Sequence, residues 1–187
     1  MTISAPSPER TGWALDALLC RVASVWAAHR AVHRTFGATS LLGDGCLWYG
    51  LMAALPAFAG KRGLHAALQM LCTGIVAWLL NRTLKRRTRR PRPFREHAGV
   101  ITRAPPLDEY SFPSGHTLHA VSFGIVAASW FPVLTLPLAT FAVLVAISRV
   151  ILGLHYPTDV LAAAVLGAVL GVGSLWLDPA LMAALQG

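Results

Sequence analysis

The sequence predicts an all-α, polytopic membrane helix bundle, and three features of its composition predict this fold class. Hydrophobic residues make up 55% of the 187 residues and charged residues only 13%, a balance that does not fit a disordered or a soluble basic protein. Several tracts of roughly membrane-spanning length carry no formal charge. The net charge of +8 is local, because nine of the sixteen Lys and Arg residues lie between positions 82 and 103. We therefore expect a single membrane domain with one strongly cationic region.

The first half of the chain predicts three helices. Residues 13–28 are helix-like but carry Asp16 and Arg21, so this helix either spans the bilayer or lies at its interface. Residues 45–60, extendable back to residue 41, and residues 63–81 predict the next two helices, both transmembrane. The N-terminus lacks the basic start and apolar core of a signal peptide, and we expect none to be cleaved.

The second half predicts three further transmembrane helices. Residues 110–148 contain no Asp, Glu, Lys or Arg, and this tract is too long for one span. Pro132 and Pro137 mark a turn within it, which predicts helices near 115–131 and 134–150. The last span is small and apolar, with glycines that permit close helix packing. It covers residues 160–177 and contains Gly167, Gly171 and Gly173.

Together these segments predict one domain over 1–187. Residues 1–40 form its N-terminal segment and first helix, and residues 41–177 form the functional bundle of five transmembrane helices. Cysteines at three widely spaced apolar positions suggest neither a disulfide framework nor a zinc site.

Three polar clusters lie at predicted membrane boundaries. If successive helices alternate in direction, the end of the third, the start of the fourth, the end of the fifth and the start of the sixth share one side. Residues far apart in sequence then converge there. The clusters are Lys85 with Arg92, then Pro113-Ser114-Gly115-His116, and then Arg149 with His155 and Asp159.

The residue types in these clusters suit a phosphoryl group. Lys85, Arg92 and Arg149 would supply a point charge and two planar guanidinium groups to phosphate oxygens. Ser114 and Gly115 precede an apolar helix, so their backbone N–H groups can point at an anion from its positive end.

Two histidines can divide the acid, base and nucleophilic work of phosphoryl transfer. Asp159 follows His155 by four residues, which places both on one face of a helical turn. A carboxylate there can hold one imidazole nitrogen and leave the other free to attack. His155 is then the candidate nucleophile and His116 the candidate proton donor.

Each cluster also has a simpler interpretation. A basic run after an apolar helix can be a membrane-surface anchor, Pro-Ser-Gly-His can be a turn with a helix cap, and His155 with Asp159 can be a satisfied polar pair. Asp44 can cap the second helix or contact the basic loop, and we expect the cap. Asp108 and Glu109 are adjacent in a loop, and we expect them to shape it.

The three clusters together resemble the motifs of the type 2 phosphatidic acid phosphatase family, which includes lipid phosphate phosphatases. The family's first motif is Lys, six residues and Arg-Pro, and it matches Lys85 through Arg92-Pro93. Its second motif is Pro113-Ser114-Gly115-His116 in this chain. The third is Ser-Arg, five residues, His, three residues and Asp, found here from Ser148-Arg149 to His155 and Asp159.

The resemblance implies a role for each motif residue. His155 would be the nucleophile that forms a phosphohistidine, Asp159 would orient it, and His116 would protonate the leaving lipid oxygen. It implies no cofactor and no metal ion. Phosphate would be held by Lys85, Arg92, Ser114, Gly115 and Arg149.

The resemblance also implies a membrane lipid as substrate and the bilayer as partner, whereas nucleic acid is not expected. Undecaprenyl diphosphate is our first expectation, because the arginine run exceeds what one monophosphate needs. Phosphatidylglycerol phosphate, phosphatidic acid and lipid A phosphates are alternatives. The positive-inside rule favours a cytoplasmic site, but the resemblance implies a bacterial inner-membrane protein with a periplasmic site, and we follow it. The sequence does not specify an oligomeric state.

Two other functions compete with hydrolysis. A lipid phosphotransferase would use the same phosphohistidine and pass the phosphoryl group to another lipid. A non-catalytic protein could bind anionic lipid through its basic loop, with no need for the histidines.

Overall fold

The computed structural model describes residues 11–178 and contains only helices, turns and loops within them. This confirms the predicted all-α class. A π-helical turn, Leu42–Cys46, and a short 3-10 helix, Pro132–Leu134, join longer elements. The α-helices are α1 Thr11–Trp26, α2 Arg30–Leu41, α3 Leu47–Thr88, α4 Pro93–Glu96, α5 Gly115–Trp130, α6 Thr135–Ile151 and α7 Pro157–Trp176. The expectation of no cleaved signal peptide concerns a segment that lies mostly outside the described residues.

The long element α3 is two helices joined at Gly60. Gly60 has φ 55° and ψ −132°, a conformation that glycine adopts at little steric cost. Gly63 then lies against the backbone of Leu55, which a continuous helix would hold far apart. The chain therefore reverses near Gly60, between the segments 45–60 and 63–81 that the sequence predicted as two helices.

Within residues 11–178, three helical stretches are long and apolar enough to cross a membrane. They are Arg30–Glu96, which contains the break at Gly60, Pro132–Ile151 and Pro157–Trp176. Large apolar side chains such as Phe58, Leu136 and Val165 are exposed, as expected for surfaces that face lipid. These features support an integral membrane protein. The predicted number of crossings, and whether α1 crosses, stay predictions.

Helix α5 lies at the centre of the bundle and contacts α3, α6 and α7. Its side chains Phe123 and Val126 are buried with Trp48 and Met70 of α3, and the rings of Trp48 and Phe123 are 5.4 Å apart. The absence of formal charge from α5 follows from this burial, because an unpaired charge would be costly there. The central helix thus fixes the position of His116 in its first turn.

Small residues allow α7 to pack closely against α5. A Cβ atom on Gly167 would lie 2.7 Å from the Leu118 carbonyl oxygen and 3.0 Å from the Val121 Cβ. Gly171 has similarly close neighbours, whereas nothing lies within 4 Å of a Cβ on Gly173. Of the three glycines in this helix, two are therefore packing positions and Gly173 is not.

We expect Gly167→Ala to destabilise the protein in detergent and Gly173→Ala to leave it unchanged or slightly more stable. Overpacking costs about 1–3 kcal/mol, which for a chain of this length corresponds to a fall in melting temperature of about 5 °C. Alanine is also the better helix former, so only the contact with α5 can make the first variant worse. Fluorescence-detected thermal unfolding of both variants measures this, and equal melting temperatures would contradict the packing assignment.

Candidate active site

A polar cavity of about 600 Å³ opens where α3 ends, α5 begins, α6 ends and α7 begins. The three clusters therefore meet at this cavity, as the sequence predicted. Six of the eight predicted site residues line the cavity, namely Lys85, Arg92, Gly115, His116, Arg149 and His155. The other two, Ser114 and Asp159, are buried beside it.

His155 lies in the turn between α6 and α7 and is almost completely buried. Its Nδ1 is 2.6 Å from the carbonyl oxygen of Ser111. A carbonyl can only accept a hydrogen bond, so Nδ1 carries the hydrogen and Nε2 keeps its lone pair. Nε2 lies 3.4 Å from Arg92 Nη1. It therefore faces the cations of the cavity rather than the packed interior of the helix bundle.

Burial lowers the pKa of His155 well below its ordinary value of 6.5, and the positive charges of Arg149, Arg92 and Lys85 lower this pKa further. The imidazole is therefore neutral at physiological pH. A neutral imidazole with one nitrogen fixed by a hydrogen bond and the other facing a cationic cavity can act as a nucleophile.

Asp159 organises the turn that carries His155. Its Oδ2 accepts a 2.9 Å hydrogen bond from the Tyr156 backbone N–H, and its Oδ1 accepts one of 2.7 Å from Arg90 Nη1. The distance from Oδ2 to His155 Nδ1 is longer, 3.7 Å. The carboxylate thus contacts the imidazole electrostatically, while the direct hydrogen bond to Nδ1 comes from the Ser111 carbonyl.

Arg90 connects Asp159 to the first helix. Its Nη2 donates to Asp16 Oδ2 at 2.7 Å, and its guanidinium lies 4.0 Å above the ring of Tyr156. Asp16 also accepts hydrogen bonds from the backbone N–H and the hydroxyl of Thr158. The buried carboxylate of Asp16 in α1 therefore supports the residues around the site, which explains why a mostly apolar helix carries it.

Three buried cations, Lys85, Arg92 and Arg149, lie in the cavity wall where an anion would bind. We call this group the anion seat. Lys85 and Arg92 both hold the carboxylate of Asp108, at distances down to 2.6 and 2.7 Å. Arg149 donates from Nη1 to Ser40 Oγ, and its buried Nε has no hydrogen-bond partner. A buried donor without a partner is costly, and an anion in the cavity would satisfy it.

Gly115 and Ser114 have different surroundings. Gly115 lines the cavity, and a Cβ atom at this position would overlap the side-chain amide of Asn81. The Ser114 N–H donates to the Asp159 carbonyl oxygen at 3.3 Å, and its hydroxyl lies 3.0 Å from Thr117 Oγ1. Ser114 thus joins the start of α5 to α7, whereas Gly115 allows close approach to the cavity.

His116 is paired with the carboxylate of Asp44. Its Nε2 lies 3.3 Å from Asp44 Oδ1, and Asp44 makes no cap hydrogen bond at either neighbouring helix start. The expectation that Asp44 caps the second helix is wrong. The π-helical turn around Gly45, which has φ 127°, instead presents Asp44 to the cavity.

A second cavity of about 350 Å³ adjoins the first and is mostly apolar. Both cavities include Asp44, Trp78, His116 and His119 in their walls. His119 itself hydrogen-bonds the Gly115 carbonyl oxygen through Nδ1 at 2.8 Å. The arrangement places an apolar compartment directly beside the anion seat.

Comparison with known proteins identifies relatives of this site. The model of the family described as the PAP2 superfamily matches residues 63–182, a range that includes all eight predicted site residues. A decaprenylphosphoryl-5-phosphoribose phosphatase of Mycobacterium tuberculosis is 32% identical over 71% of this chain and 72% of its own length. Undecaprenyl-diphosphatase BcrC of Bacillus subtilis is 31% identical over 65% of this chain and 62% of its own.

Two solved structures share the fold. The transmembrane PAP2 type phosphatidylglycerolphosphate phosphatase of Bacillus subtilis superposes with a TM-score of 0.74 and 27% identity, covering 89% of this chain and 86% of that protein. Aquifex aeolicus LpxE superposes with a TM-score of 0.76 and 25% identity, covering 94% and 99%. The likeness extends over nearly the whole described chain.

We expect Asp16→Asn to lower the stability of the protein, because Arg90 would lose one of its two carboxylate partners. A hydrogen bond to a charged partner contributes about 2 kcal/mol when buried. Arg21→Gln is the matched control, since Arg21 lies in the same helix but is exposed. Thermal unfolding in detergent measures both, and equal melting temperatures would show that the contact between α1 and Arg90 contributes nothing.

Proposed function

The chain belongs to the PAP2 superfamily, and from this we propose that its cavity hydrolyses the phosphate ester or diphosphate of a membrane lipid through a phosphohistidine on His155. At the coarser level, the chain is a lipid phosphate hydrolase and an integral membrane protein. The observation that carries the proposed intermediate is the geometry of His155, whose Nδ1 is fixed by the Ser111 carbonyl at 2.6 Å while Nε2 faces Arg92 at 3.4 Å.

In the proposed first step, His155 Nε2 attacks phosphorus. A P–N bond forms, the bond between phosphorus and the leaving oxygen breaks, and His116 gives its proton to that oxygen. Charge on the transferred oxygens is stabilised by the buried cations Lys85, Arg92 and Arg149. Asp44, 3.3 Å from His116, would stabilise the protonated imidazole before the transfer.

In the second step, water attacks the phosphohistidine. His116, now neutral, accepts the proton of that water, the P–N bond breaks, and inorganic phosphate leaves. Asp159 and Arg90 hold the turn of His155 during both steps. No step uses a metal ion, and we expect activity in the presence of a chelator.

Cations at the mouth of the cavity favour a diphosphate substrate. Arg82 and Arg86 line the cavity together with Lys85, and a monophosphate in the seat would leave both of them without a ligand. A second phosphate group could bind them. Undecaprenyl diphosphate is therefore the proposed substrate, and the names of relatives such as undecaprenyl-diphosphatase support this choice.

The apolar compartment beside the seat suits the first part of a lipid chain. Its walls include Trp48, Tyr49, Met52 and Ile75, and it meets the polar cavity at His116, the proposed proton donor. A lipid whose chain begins in this compartment would place its leaving oxygen, the one that joins the reacting phosphate to the rest of the lipid, close to His116. The proposed site thus takes the headgroup and the beginning of the chain from the bilayer together.

We propose that the site faces the periplasm. The cations on this side would otherwise favour the cytoplasm, but Lys85, Arg90, Arg92 and Arg149 are all engaged in the site. Their presence is accounted for by their roles in the site, namely phosphate binding for three of them and support of Asp159 for Arg90, rather than by topology.

The mechanism predicts different defects for the two histidines. His155→Ala should lower kcat by about four orders of magnitude or more on every substrate, since it removes the nucleophile. His116→Ala should lose about 10²- to 10⁴-fold on phosphatidic acid, an alkyl ester. In kcat/KM, which reports only the steps up to release of the leaving group, it should lose far less on p-nitrophenyl phosphate, whose leaving oxygen needs no proton. Phosphate release by purified protein in chelator measures all of these rates.

His65→Ala is the control, because His65 is exposed and distant from the cavity. Alkaline quenching with ³²P-labelled substrate should trap a phosphoenzyme in the wild type and none in His155→Ala. Equal phosphate release by His155→Ala and the wild type would disprove the proposal. Label recovered on a second lipid instead of in phosphate would indicate a transferase.

Arg82→Gln and Arg86→Gln should each lower kcat/KM for undecaprenyl diphosphate about fivefold more than for phosphatidic acid, the magnitude of an exposed ion pair. Arg87→Gln is the matched control, as Arg87 lies in the same run and is exposed away from the cavity. Parallel kinetics on the two lipids measures the ratio, and an unchanged ratio in both variants would contradict a diphosphate subsite.

A further inference from the structure

The carboxylate of Asp108 occupies the two cations that would bind phosphate. Lys85 Nζ donates to Asp108 Oδ1 at 2.8 Å and to Oδ2 at 2.6 Å. Arg92 Nη2 donates to Oδ1 at 2.7 Å. A carboxylate presents two charged oxygens to these donors in much the same way as a phosphate would. Asp108 is therefore bound as an anionic ligand of the site.

The other hydrogen bonds of the two cations go mostly to the backbone. Lys85 Nζ reaches the Tyr110 carbonyl oxygen at 3.1 Å. Arg92 Nε donates to the Asp108 carbonyl oxygen at 3.0 Å, and Nη1 donates to the Leu154 carbonyl oxygen at 2.8 Å. Those carbonyls belong to the chain around the site and cannot leave easily. The donors that Asp108 holds are thus ones that a substrate can claim by displacing a side chain rather than the backbone.

The occupied donors are also next to the nucleophile. The guanidinium whose Nη2 binds Asp108 has its Nη1 3.4 Å from His155 Nε2. A phosphorus atom within reach of Nε2 would have its oxygens near the position of the Asp108 carboxylate. Phosphate and carboxylate cannot both take these hydrogen bonds.

We propose that Asp108 is an intramolecular competitor of the substrate phosphate. In the empty site its carboxylate neutralises Lys85 and Arg92, and a lipid phosphate must displace it before His155 can attack. This inference rests on the proposed function for the identity of the displacing group, a phosphate ester. It assigns Asp108 neither to catalysis nor to substrate contact.

The surroundings of Asp108 allow such a displacement. Its side chain is 45% exposed, and the residue lies in the irregular segment between α4 and α5. Its carbonyl oxygen stays bound to Arg92 Nε, so rotation of the side chain alone frees both cations. Burial raises the pKa of Asp108, but hydrogen bonds and charges from Lys85 and Arg92 outweigh this effect and hold the pKa below its usual value. The carboxylate is charged at neutral pH.

Removal of Asp108 would have the opposite effect on phosphate binding if the residue served to orient the cations instead of competing with phosphate. If the carboxylate only held Lys85 and Arg92 in place for phosphate, its removal would loosen both cations and weaken phosphate binding. If it competes, its removal frees the donors and strengthens phosphate binding. The sign of the change in affinity therefore decides between the two.

The test is binding of inorganic phosphate to detergent-purified protein by isothermal titration calorimetry. Asp108→Asn, which keeps the side-chain shape but removes the charge, should bind phosphate about tenfold more tightly than the wild type. Its KM for the lipid substrate should fall by a similar factor. Glu109→Gln removes the same charge from the wall of the same cavity, but Glu109 pairs with exposed Arg95 at 3.5 Å and not with Lys85 or Arg92. This control should change affinity less than twofold.

Equal affinities in Asp108→Asn and Glu109→Gln, or weaker binding in Asp108→Asn, would overturn the proposal. Asp108→Ser is a second variant with the same expected direction, so the test survives poor folding of the first. Phosphate binding needs no turnover, so it is independent of the proposed activity. A wild type that releases no phosphate from lipids would disprove the function, while tighter phosphate binding by Asp108→Asn would still support the competitor.

Discussion

Concentrated positive charge at one end of an apolar bundle is the constraint on which the rest of this structure depends. Lys85, Arg92 and Arg149 are each less than a tenth exposed, and buried cations without partners are strongly destabilising. The chain meets this cost with carboxylates and backbone carbonyls. Asp108 pairs with the first two cations, and carbonyls from the loop before α5 and the turn before α7 accept their other hydrogens. The irregular segments around the site are therefore shaped by the need to neutralise it.

The same constraint explains the contacts of Arg90 with two carboxylates. This side chain joins Asp159, which holds the turn of His155, to Asp16 in the first helix. The family match begins at residue 63, so α1 lies outside the matched region although it supports a residue of the third motif. The ion pairs of Arg90 link a helix outside the matched region to a motif residue, and they give the N-terminal segment a structural role in the site.

Much of this arrangement could be predicted from sequence, because the informative residues are side chains at fixed spacings. The positions of α5, α6 and α7 and the convergence of the three clusters follow from charge-free tracts and helix alternation. The Ser111 carbonyl that fixes His155 could not be predicted, since every residue has a carbonyl. Asp44 and Asp108 were placed in a cap and a loop because no spacing linked them to His116 or Lys85. The sequence did offer one signal for these two residues. The chain has only eight acidic residues, so each of them is a candidate partner for the buried cations and histidines.

An anion seat that is already occupied has a consequence for turnover. Three buried cations would bind inorganic phosphate tightly, and a product that stays bound limits the rate of a phosphatase. A carboxylate that returns to Lys85 and Arg92 weakens substrate and product binding alike, and such uniform weakening raises KM without raising the barrier of the chemical step from the bound state. Where the substrate is concentrated in the bilayer, a higher KM costs little, whereas faster phosphate release is a direct gain. The proposed competitor thus fits an enzyme whose substrate is held in the membrane and whose product is soluble.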